Sequence, residues 1–115
     1  MSRSHGAAVR LDEAAPLFAA LGDETRLRLV TRLCAEGPLS IARLSEGSPI
    51  TRQAITRHLE SLEGAGLVRG TRQGREHVWK AAPKRLEKAR RCLDQISEQW
   101  DAAIDRLKDL VERDP

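Results

Sequence analysis

The chain has 115 residues, with 20 Lys and Arg against 17 Asp and Glu and a formal net charge of +3 at pH 7. This length predicts one domain with a modest core, and no apolar run approaches the roughly 18 residues that a membrane span needs, which indicates a soluble protein without a membrane partner. Two widely separated cysteines, Cys34 and Cys92, and no hydrophobic signal sequence at the start indicate a reducing cytoplasm rather than a secreted disulfide scaffold.

The amino-terminal region is predicted to contain a tail and two helices. Residues 1–11 have no apolar period, so we expect a flexible tail. Asp12 is expected to cap a first helix that ends at Gly22, and Asp23 to cap a second helix that ends at Gly37.

The second helix has apolar residues at helical spacing, and they predict which side faces the core. They are Leu27, Val30, Leu33 and Cys34. Since a buried cysteine commonly acts as a small hydrophobic side chain, we expect Cys34 to be a core residue.

A short third helix and a longer fourth helix follow, and each is predicted to begin at a hydroxyl side chain. Ser40 opens the third helix, and Thr51 is the expected N-cap of the fourth. Ile50 and Ile55 would form a hydrophobic staple across that start, which fixes the angle at which the chain enters the helix.

The fourth helix carries its charges in an order that an isolated helix disfavours. Arg52 and Arg57 lie in its first half, whereas Glu60 and Glu63 follow toward its end. A helix has partial positive charge at its start, so each misplaced exposed charge costs about 0.3–1 kcal/mol. Such a departure from local preference indicates function, here a surface that faces an anion. At 100° per residue, Gln53 and Arg57 point away from the core.

After Gly66 the apolar period changes from 3.6 to 2, which predicts a β-hairpin. Residues 67–69 and 77–80 are its expected strands. Gly74, in the link at residues 71–76, can adopt the positive φ of a hairpin turn.

Positive charge is concentrated between Thr51 and Arg85. These 35 residues contain eight Lys or Arg and three Glu, a net +5 within a chain of +3, so the other 80 residues together carry −2. A basic middle on a slightly acidic chain indicates contact with nucleic acid.

The final segment, residues 83–115, is predicted to be one long helix with a heptad repeat of apolar residues. The repeat consists of Leu86, Ala89, Leu93, Ile96, Trp100, Ala103, Leu107 and Leu110. A helix of about 27 residues would be roughly 40 Å long, which is more than a small helical body needs. We therefore expect part of this repeat to contact a second chain; the alternative is that it folds back wholly onto its own subunit.

The order of helix, turn, polar-faced helix and basic hairpin predicts a mainly α winged helix-turn-helix with a small β-hairpin. Residues 12–82 would form the domain that binds double-stranded DNA, with the fourth helix in the major groove, and residues 83–115 would form a dimerisation helix. Gln53 and Arg57 are the expected base contacts, because Gln bonds bidentately to adenine and Arg to guanine.

The other expected DNA contacts are with phosphates or with bases at the edge of the site. They are Arg52, Thr56 and His58 on the fourth helix, and Arg72 and Arg75 at the hairpin tip. For His58 a structural hydrogen bond is the alternative, and any single exposed arginine can equally be a solvated charge.

From about Asp12 to Lys80 the chain resembles the ArsR/SmtB family of bacterial winged-helix repressors. The likeness lies in three runs in a fixed order: LFAALGDETRLRLV, GPLSIARLSEG and ITRQAITRHLESLEGAGLVRGTRQGREHVWK. The long final helix with Trp100 is similar to the metal-independent branch typified by the SdpR group. The resemblance implies a homodimer that pairs through its first and last helices, binds an inverted repeat at a promoter and represses it. The residues expected at that interface are Leu17, Phe18, Leu86, Leu93, Ile96, Trp100 and Leu107.

Metal-sensing members of the family carry ligands that this chain lacks. Where they have Cys-x-Cys in the third helix it has Ser40-Ile41-Ala42, and its last helix has no His. The remaining candidates show no ligand spacing for zinc, so we expect no metal and no cofactor. Those candidates are His5, Cys34, His58, His77 and Cys92.

Two other functions are alternatives. Some relatives sense oxidants or sulfur species through one cysteine on the second helix and one on the last, which here would require the Cα atoms of Cys34 and Cys92 to lie within about 7 Å. The other is a dimeric adaptor that binds a protein through the winged-helix surface. We do not expect an enzyme, because the sequence has no Gly-rich phosphate loop, nucleophile elbow or paired acids.

Overall fold

The computed structural model describes residues 8–113, which form five helices and three short strands. In chain order these are α1 (Leu11–Leu21), α2 (Glu24–Glu36), β1 (Leu39–Ser40), α3 (Ile41–Ser45), α4 (Arg52–Gly64), β2 (Val68–Gln73), β3 (Glu76–Ala81) and α5 (Pro83–Arg113). The strands form one antiparallel sheet in the order β1-β3-β2. The predicted fold class is confirmed: a mainly α winged helix-turn-helix with a small sheet and a long final helix. We call the β2-β3 hairpin, residues 68–81, the wing.

Three of the helices have an N-cap residue whose side-chain oxygen accepts a backbone hydrogen bond, as the sequence predicts. Asp23 accepts a hydrogen bond from the backbone N–H of Arg26 at 3.0 Å, Ser40 from that of Arg43 at 3.1 Å, and Thr51 from that of Ala54 at 3.0 Å. Each of these bonds satisfies an amide that the helix itself leaves unpaired.

The prediction that Asp12 caps the first helix is wrong. The helix α1 begins one residue earlier, at Leu11, with Arg10 as its N-cap. Asp12 lies in the first turn, and its carboxylate pairs instead with the Arg10 guanidinium at 2.8 Å. Helix α1 ends at Gly22, as expected.

Residues 8–11 do not form the predicted tail. Val9 is buried against Ala14 and Cys92, and its backbone N–H donates to Gln95 Oε1 of α5 at 2.6 Å. The segment therefore packs on the last helix, a contact that the local sequence pattern does not reveal. The rest of the predicted tail, residues 1–7, lies outside the described residues.

The core lies between α2, α4 and the sheet, and α1 closes one side of it. Its largest fully buried side chains are Trp79, Leu17, Leu33, Ile55, Leu59, Leu62 and Leu67. Trp79 lies over Gly70 of the neighbouring strand, where an added Cβ would come within 2.8 Å of the indole ring. Gly70 therefore leaves the space that Trp79 occupies.

The strands differ from the sequence prediction in number and length. Leu39 and Ser40 pair with Trp79 and Val78 to form β1, which was not predicted. The predicted six-residue link at 71–76 is also wrong, because Gln73 pairs with Glu76 and only two residues form the turn. Gly74 has the expected positive φ, 65°, which permits this tight connection.

The cysteines are placed differently from the prediction. Cys34 is exposed, and the buried side of α2 consists of Leu29, Val30 and Leu33. Leu27 is also exposed, because the packing of α2 turns the centre of its apolar side toward Leu29. Cys92 is the buried thiol.

Helix α5 has 31 residues and carries its apolar repeat away from the body of the chain. Near its start Ala89 is buried and Leu86 is half-buried, but farther along the large side chains are exposed, including 53% of Leu93 and 66% of Trp100. The alternative in which the repeat folds wholly onto its own subunit is therefore wrong. Among residues 8–113, no helix is both long and apolar enough to cross a membrane.

Candidate nucleic-acid interface

Helix α4 buries one side and presents a polar, cationic side to solvent. Ile55 and Leu59 are buried against the rest of the chain, while Arg52, Gln53 and Arg57 are exposed. The cap at Thr51 and the partly buried Ile50 just before it fix how the chain enters this helix.

The cations of α4 and the wing tip are not neutralised by neighbouring carboxylates. Within residues 8–113, the ion pairs involve none of four arginines, which are Arg52, Arg57, Arg72 and Arg75. By contrast, Arg28 and Arg32 on α2 pair with Glu24 and Glu36 one helical turn away. The outer side of α4 and the wing tip thus keep positive charge available for an external anion.

Thr56 has its hydroxyl engaged within the helix. It is half-buried, and its Oγ1 donates to the carbonyl of Arg52 at 2.9 Å. Because a hydroxyl has one proton and phosphate oxygens are acceptors, Thr56 in this rotamer has no donor left for a phosphate.

His58 faces helix α2. The ring is half-buried, with Nδ1 3.4 Å from Nη1 of Arg26 and 3.9 Å from Oδ2 of Asp23. This arrangement is the one expected from the structural alternative for His58.

The wing tip carries the two expected arginines beside its turn. Arg72 and Arg75 are both exposed, and Nη1 of Arg72 lies 3.5 Å from the carbonyl oxygen of Arg75. Both guanidinium groups are exposed where a winged helix-turn-helix reaches a neighbouring groove or its phosphates.

The hairpin register adds a second cationic pair that the sequence prediction missed. Arg69 of β2 lies directly opposite Lys80 of β3, and both are exposed. Like charges in directly opposed positions destabilise a hairpin by repulsion. An anion bound near both charges would reduce that repulsion. Both residues are visible in the sequence, but their pairing depends on the register of the strands, which the two-residue turn at Gly74 fixes.

Glu63 has a role that explains part of the unusual charge order in α4. Its Oε2 accepts a hydrogen bond from the backbone N–H of Gly70 at 3.1 Å. The carboxylate thereby connects the end of α4 to β2, the first strand of the wing, so that the two cationic elements are held together.

The carboxyl of Asp23 has a pKa below its ordinary value. The main cause is the hydrogen bond from the Arg26 backbone N–H, with smaller contributions from the charges of His58 and Arg26. The pKa of Glu13 is lowered as well, chiefly by its hydrogen bond with Lys88, which connects α1 to α5 at 2.9 Å. In the part of the chain described here, no three His, Cys, Asp or Glu side chains form a group that could hold a metal ion.

The capped helix with an open cationic side, the adjoining basic wing and the three-helix core together define a winged helix-turn-helix protein of the DNA-binding type. The sequence model of a helix-turn-helix domain matches residues 21–71. A helix-turn-helix-type transcriptional regulator of Mycobacterium tuberculosis is 34% identical over 93 residues, which cover 81% of this chain and 83% of the relative. The arsenical resistance operon repressor of Escherichia coli is also 34% identical, over 83% of this chain and 79% of the repressor.

Among solved structures, an ArsR-like transcriptional regulator from Rhodococcus sp. RHA1 superimposes with a TM-score of 0.68 at 37% identity, covering 86% of this chain and 92% of that one. The chain therefore belongs to the ArsR/SmtB family of DNA-binding helix-turn-helix transcriptional regulators.

Proposed function

We propose that the protein is a homodimeric repressor that binds an inverted-repeat operator through α4 and the wing. The observation that carries the proposal is the set of unneutralised cations on the outer side of α4 and at the wing tip. Phosphate neutralisation by Lys and Arg supplies much of the affinity of a protein for DNA.

Gln53 and Arg57 are the proposed base contacts. Both are exposed on the side of α4 opposite its buried residues, and their side chains match adenine and guanine, respectively. Arg52, Arg72 and Arg75 are the proposed contacts with phosphate or the minor groove, and Arg69 and Lys80 join them on the wing. Thr56 and His58 are left out of this set because the Thr56 hydroxyl and Nδ1 of His58 are engaged within the chain.

The proposed dimer forms through the exposed apolar residues of α5, which we call the α5 stripe. It comprises Leu93, Ile96, Trp100, Leu107 and Leu110, each at least 48% exposed. Monomeric proteins seldom leave so many large apolar side chains exposed along one side of a helix. Phe18 is half-buried and retains surface for a partner, but Leu17 is buried in the core of its own subunit and is removed from the proposed interface.

A regulator of the metal-independent kind, typified by the SdpR group, fits the residue types at the positions that metal-sensing relatives use. Ser40, Ile41 and Ala42 supply no thiolate, and α5 has no imidazole. Cysteine thiolates and histidine imidazoles are common protein ligands of zinc and related metals.

The test is selection of bound duplexes from a random pool, followed by affinity measurements at 50 and 200 mM salt. We expect an inverted repeat with half-sites about 34 Å apart, and a loss of affinity of about 10³–10⁵ between the two salt concentrations if six to ten phosphates are contacted. A chain that binds no duplex would instead support the adaptor alternative, and selection of a single unrepeated site would contradict the dimeric arrangement.

A further inference from the structure

Three helices meet at the side chain of Arg26, next to the exposed side of α4. Nε of Arg26 donates to the carbonyl of Ala20 at the end of α1, at 2.6 Å. Its Nη1 lies 3.4 Å from Nδ1 of His58 on α4. Asp23, which caps α2, places Oδ2 3.9 Å from the same ring nitrogen. One guanidinium thus joins the end of α1 and the start of α2 to the middle of α4.

We propose that Arg26 and His58 are positioning residues, which fix the rotation of α4 about its own axis so that Gln53 and Arg57 meet the base edges. This inference rests on the proposed function. His58 adjoins Arg57 in the chain, so a rotation of α4 that broke the contact with Arg26 would swing the base-reading side chains with it. Binding groups need to be held within about 0.5 Å of their productive positions, and hydrogen bonds from neighbouring elements supply that constraint.

The apolar packing of α4 constrains this rotation without the directionality of a hydrogen bond. Its buried side consists of the aliphatic residues Ile55, Leu59 and Leu62, whose contacts are non-directional. The contact between Arg26 and His58 is directional and connects residues 32 positions apart. Together with the hydrogen bond from the Gly70 N–H to Glu63, it is therefore suited to fix the orientation of α4.

The experiment compares two nearly isosteric substitutions, His58→Gln and His58→Met. The amide oxygen of Gln can accept a hydrogen bond from Arg26, whereas Met offers only a weak acceptor. For each variant we would measure affinity for the selected operator and for a random duplex, together with the free energy of unfolding by urea. The quantity that matters is the ratio of the two affinities, since partial unfolding lowers both equally and leaves the ratio unchanged.

We expect His58→Met to lower that ratio about tenfold, comparable with weakening one base contact, and His58→Gln to keep it within about twofold of wild type. Arg26→Gln should lower the ratio as well. Combining Arg26→Gln with His58→Met should add little, because residues that act through one shared contact are not additive.

Three results would overturn the inference. If His58→Met weakens operator and random duplex equally and reduces the salt dependence by about one phosphate, His58 is a phosphate contact. If the variant lowers only the free energy of unfolding, the contact merely stabilises the fold. If His58→Gln behaves like His58→Met, hydrogen bonding is irrelevant.

A wild-type chain that binds no duplex would overturn the proposed function as well. A selective wild type with an unaffected affinity ratio in His58→Met would overturn this inference alone.

Discussion

Asp23 acts twice at the start of α2, as a cap for the helix and as a negative charge beside Arg26 and His58. Its pKa is lowered in the folded chain, chiefly by the hydrogen bond from the Arg26 backbone N–H. A carboxyl whose pKa is lower when folded contributes stability above its unfolded pKa, and that stability is lost as the pH falls through the folded pKa.

Replacing Asp23 with Asn tests this charge while keeping a side chain that caps a helix about as well. We expect wild type to have the higher free energy of unfolding between pH 5 and 7, and the difference to shrink as the pH falls below about 4, where Asp23 of the unfolded chain takes up a proton before the folded carboxyl does. Urea denaturation of both chains from pH 3 to 7 measures it. A difference that stays constant over this range would mean that the carboxylate charge contributes nothing.

An added methyl group at Gly70 should be poorly tolerated. A Cβ there would lie 2.8 Å from Cζ3 of the buried Trp79 and 2.7 Å from Nε2 of His77, whose ring stacks on that indole. We expect Gly70→Ala to cost about 1–3 kcal/mol in the free energy of unfolding, as overpacking typically does. Gly64→Ala is the matched control, because its Cβ would meet nothing within 4 Å, and we expect a change within about 0.5 kcal/mol. Equal stability of the two variants in urea would contradict the close packing at Gly70.

Arg57→Ala removes a proposed base contact without disturbing the core, because Arg57 is exposed. Operator affinity should fall by about 1–3 kcal/mol, and the preference at one base pair per half-site should relax. The control is Lys108→Ala, which removes one exposed positive charge from the far part of α5. Fluorescence anisotropy with operator and random duplexes measures both variants. An equal loss on the two duplexes would show that Arg57 contacts only phosphate.

The contribution of the wing tip to DNA affinity should be electrostatic. Removing Arg72 and Arg75 together takes two exposed charges from its tip, while the tight turn is set by the pairing of Gln73 with Glu76 and by the positive φ of Gly74. We expect affinity to fall for operator and random duplexes alike, and the slope of log affinity against log salt to decrease by about two. An unchanged slope would place the wing tip away from the DNA backbone.

At the scale of helices and strands, the sequence predicted best what is decided locally. The caps at Asp23, Ser40 and Thr51 each depend on an amide three residues away, and the positive φ at Gly74 depends on one residue. The strand β1 could not be predicted in this way, because Leu39 needs Trp79 as its partner, 40 positions along the chain. Two residues alone have no strand period.

The exposed sides of α2 and α4 show, for the candidate site, how far a local sequence pattern can predict structure. Helical spacing placed Gln53 and Arg57 correctly on the exposed side of α4, since the three buried positions on that helix agree with one another. On α2 the apolar residues are spaced less regularly. In the folded chain Leu29 is buried, whereas Leu27 and Cys34 are exposed. The contacts of His58 with α2 and of Glu63 with the wing involve residues on different elements, so no local pattern predicts them.

For the whole molecule, the long helix α5 decides how two copies would present their cationic surfaces to one duplex. The chain extends 68 Å along its longest axis, and the α5 stripe lies exposed on the helix that accounts for much of that length. Burying a Leu or Ile side chain fully is worth about 1.5–3 kcal/mol relative to leaving it exposed, so burial of the half-exposed residues of the stripe would favour association. An inverted-repeat operator matches a protein whose two reading helices are related by a two-fold axis.

Replacing both Leu93 and Ile96 with Glu should therefore give monomers, because charge introduced into the α5 stripe would remain desolvated and unpaired in the dimer. Sedimentation velocity measures the oligomeric state, and the same samples should no longer bind the inverted repeat with the affinity of two half-sites. Ala102→Glu is the control, since Ala102 lies on the opposite, exposed side of the same helix and should leave the dimer intact. A double variant that sediments as an unchanged dimer would mean that the subunits meet through a different surface, and the half-site spacing would then have to follow from that surface instead of from α5.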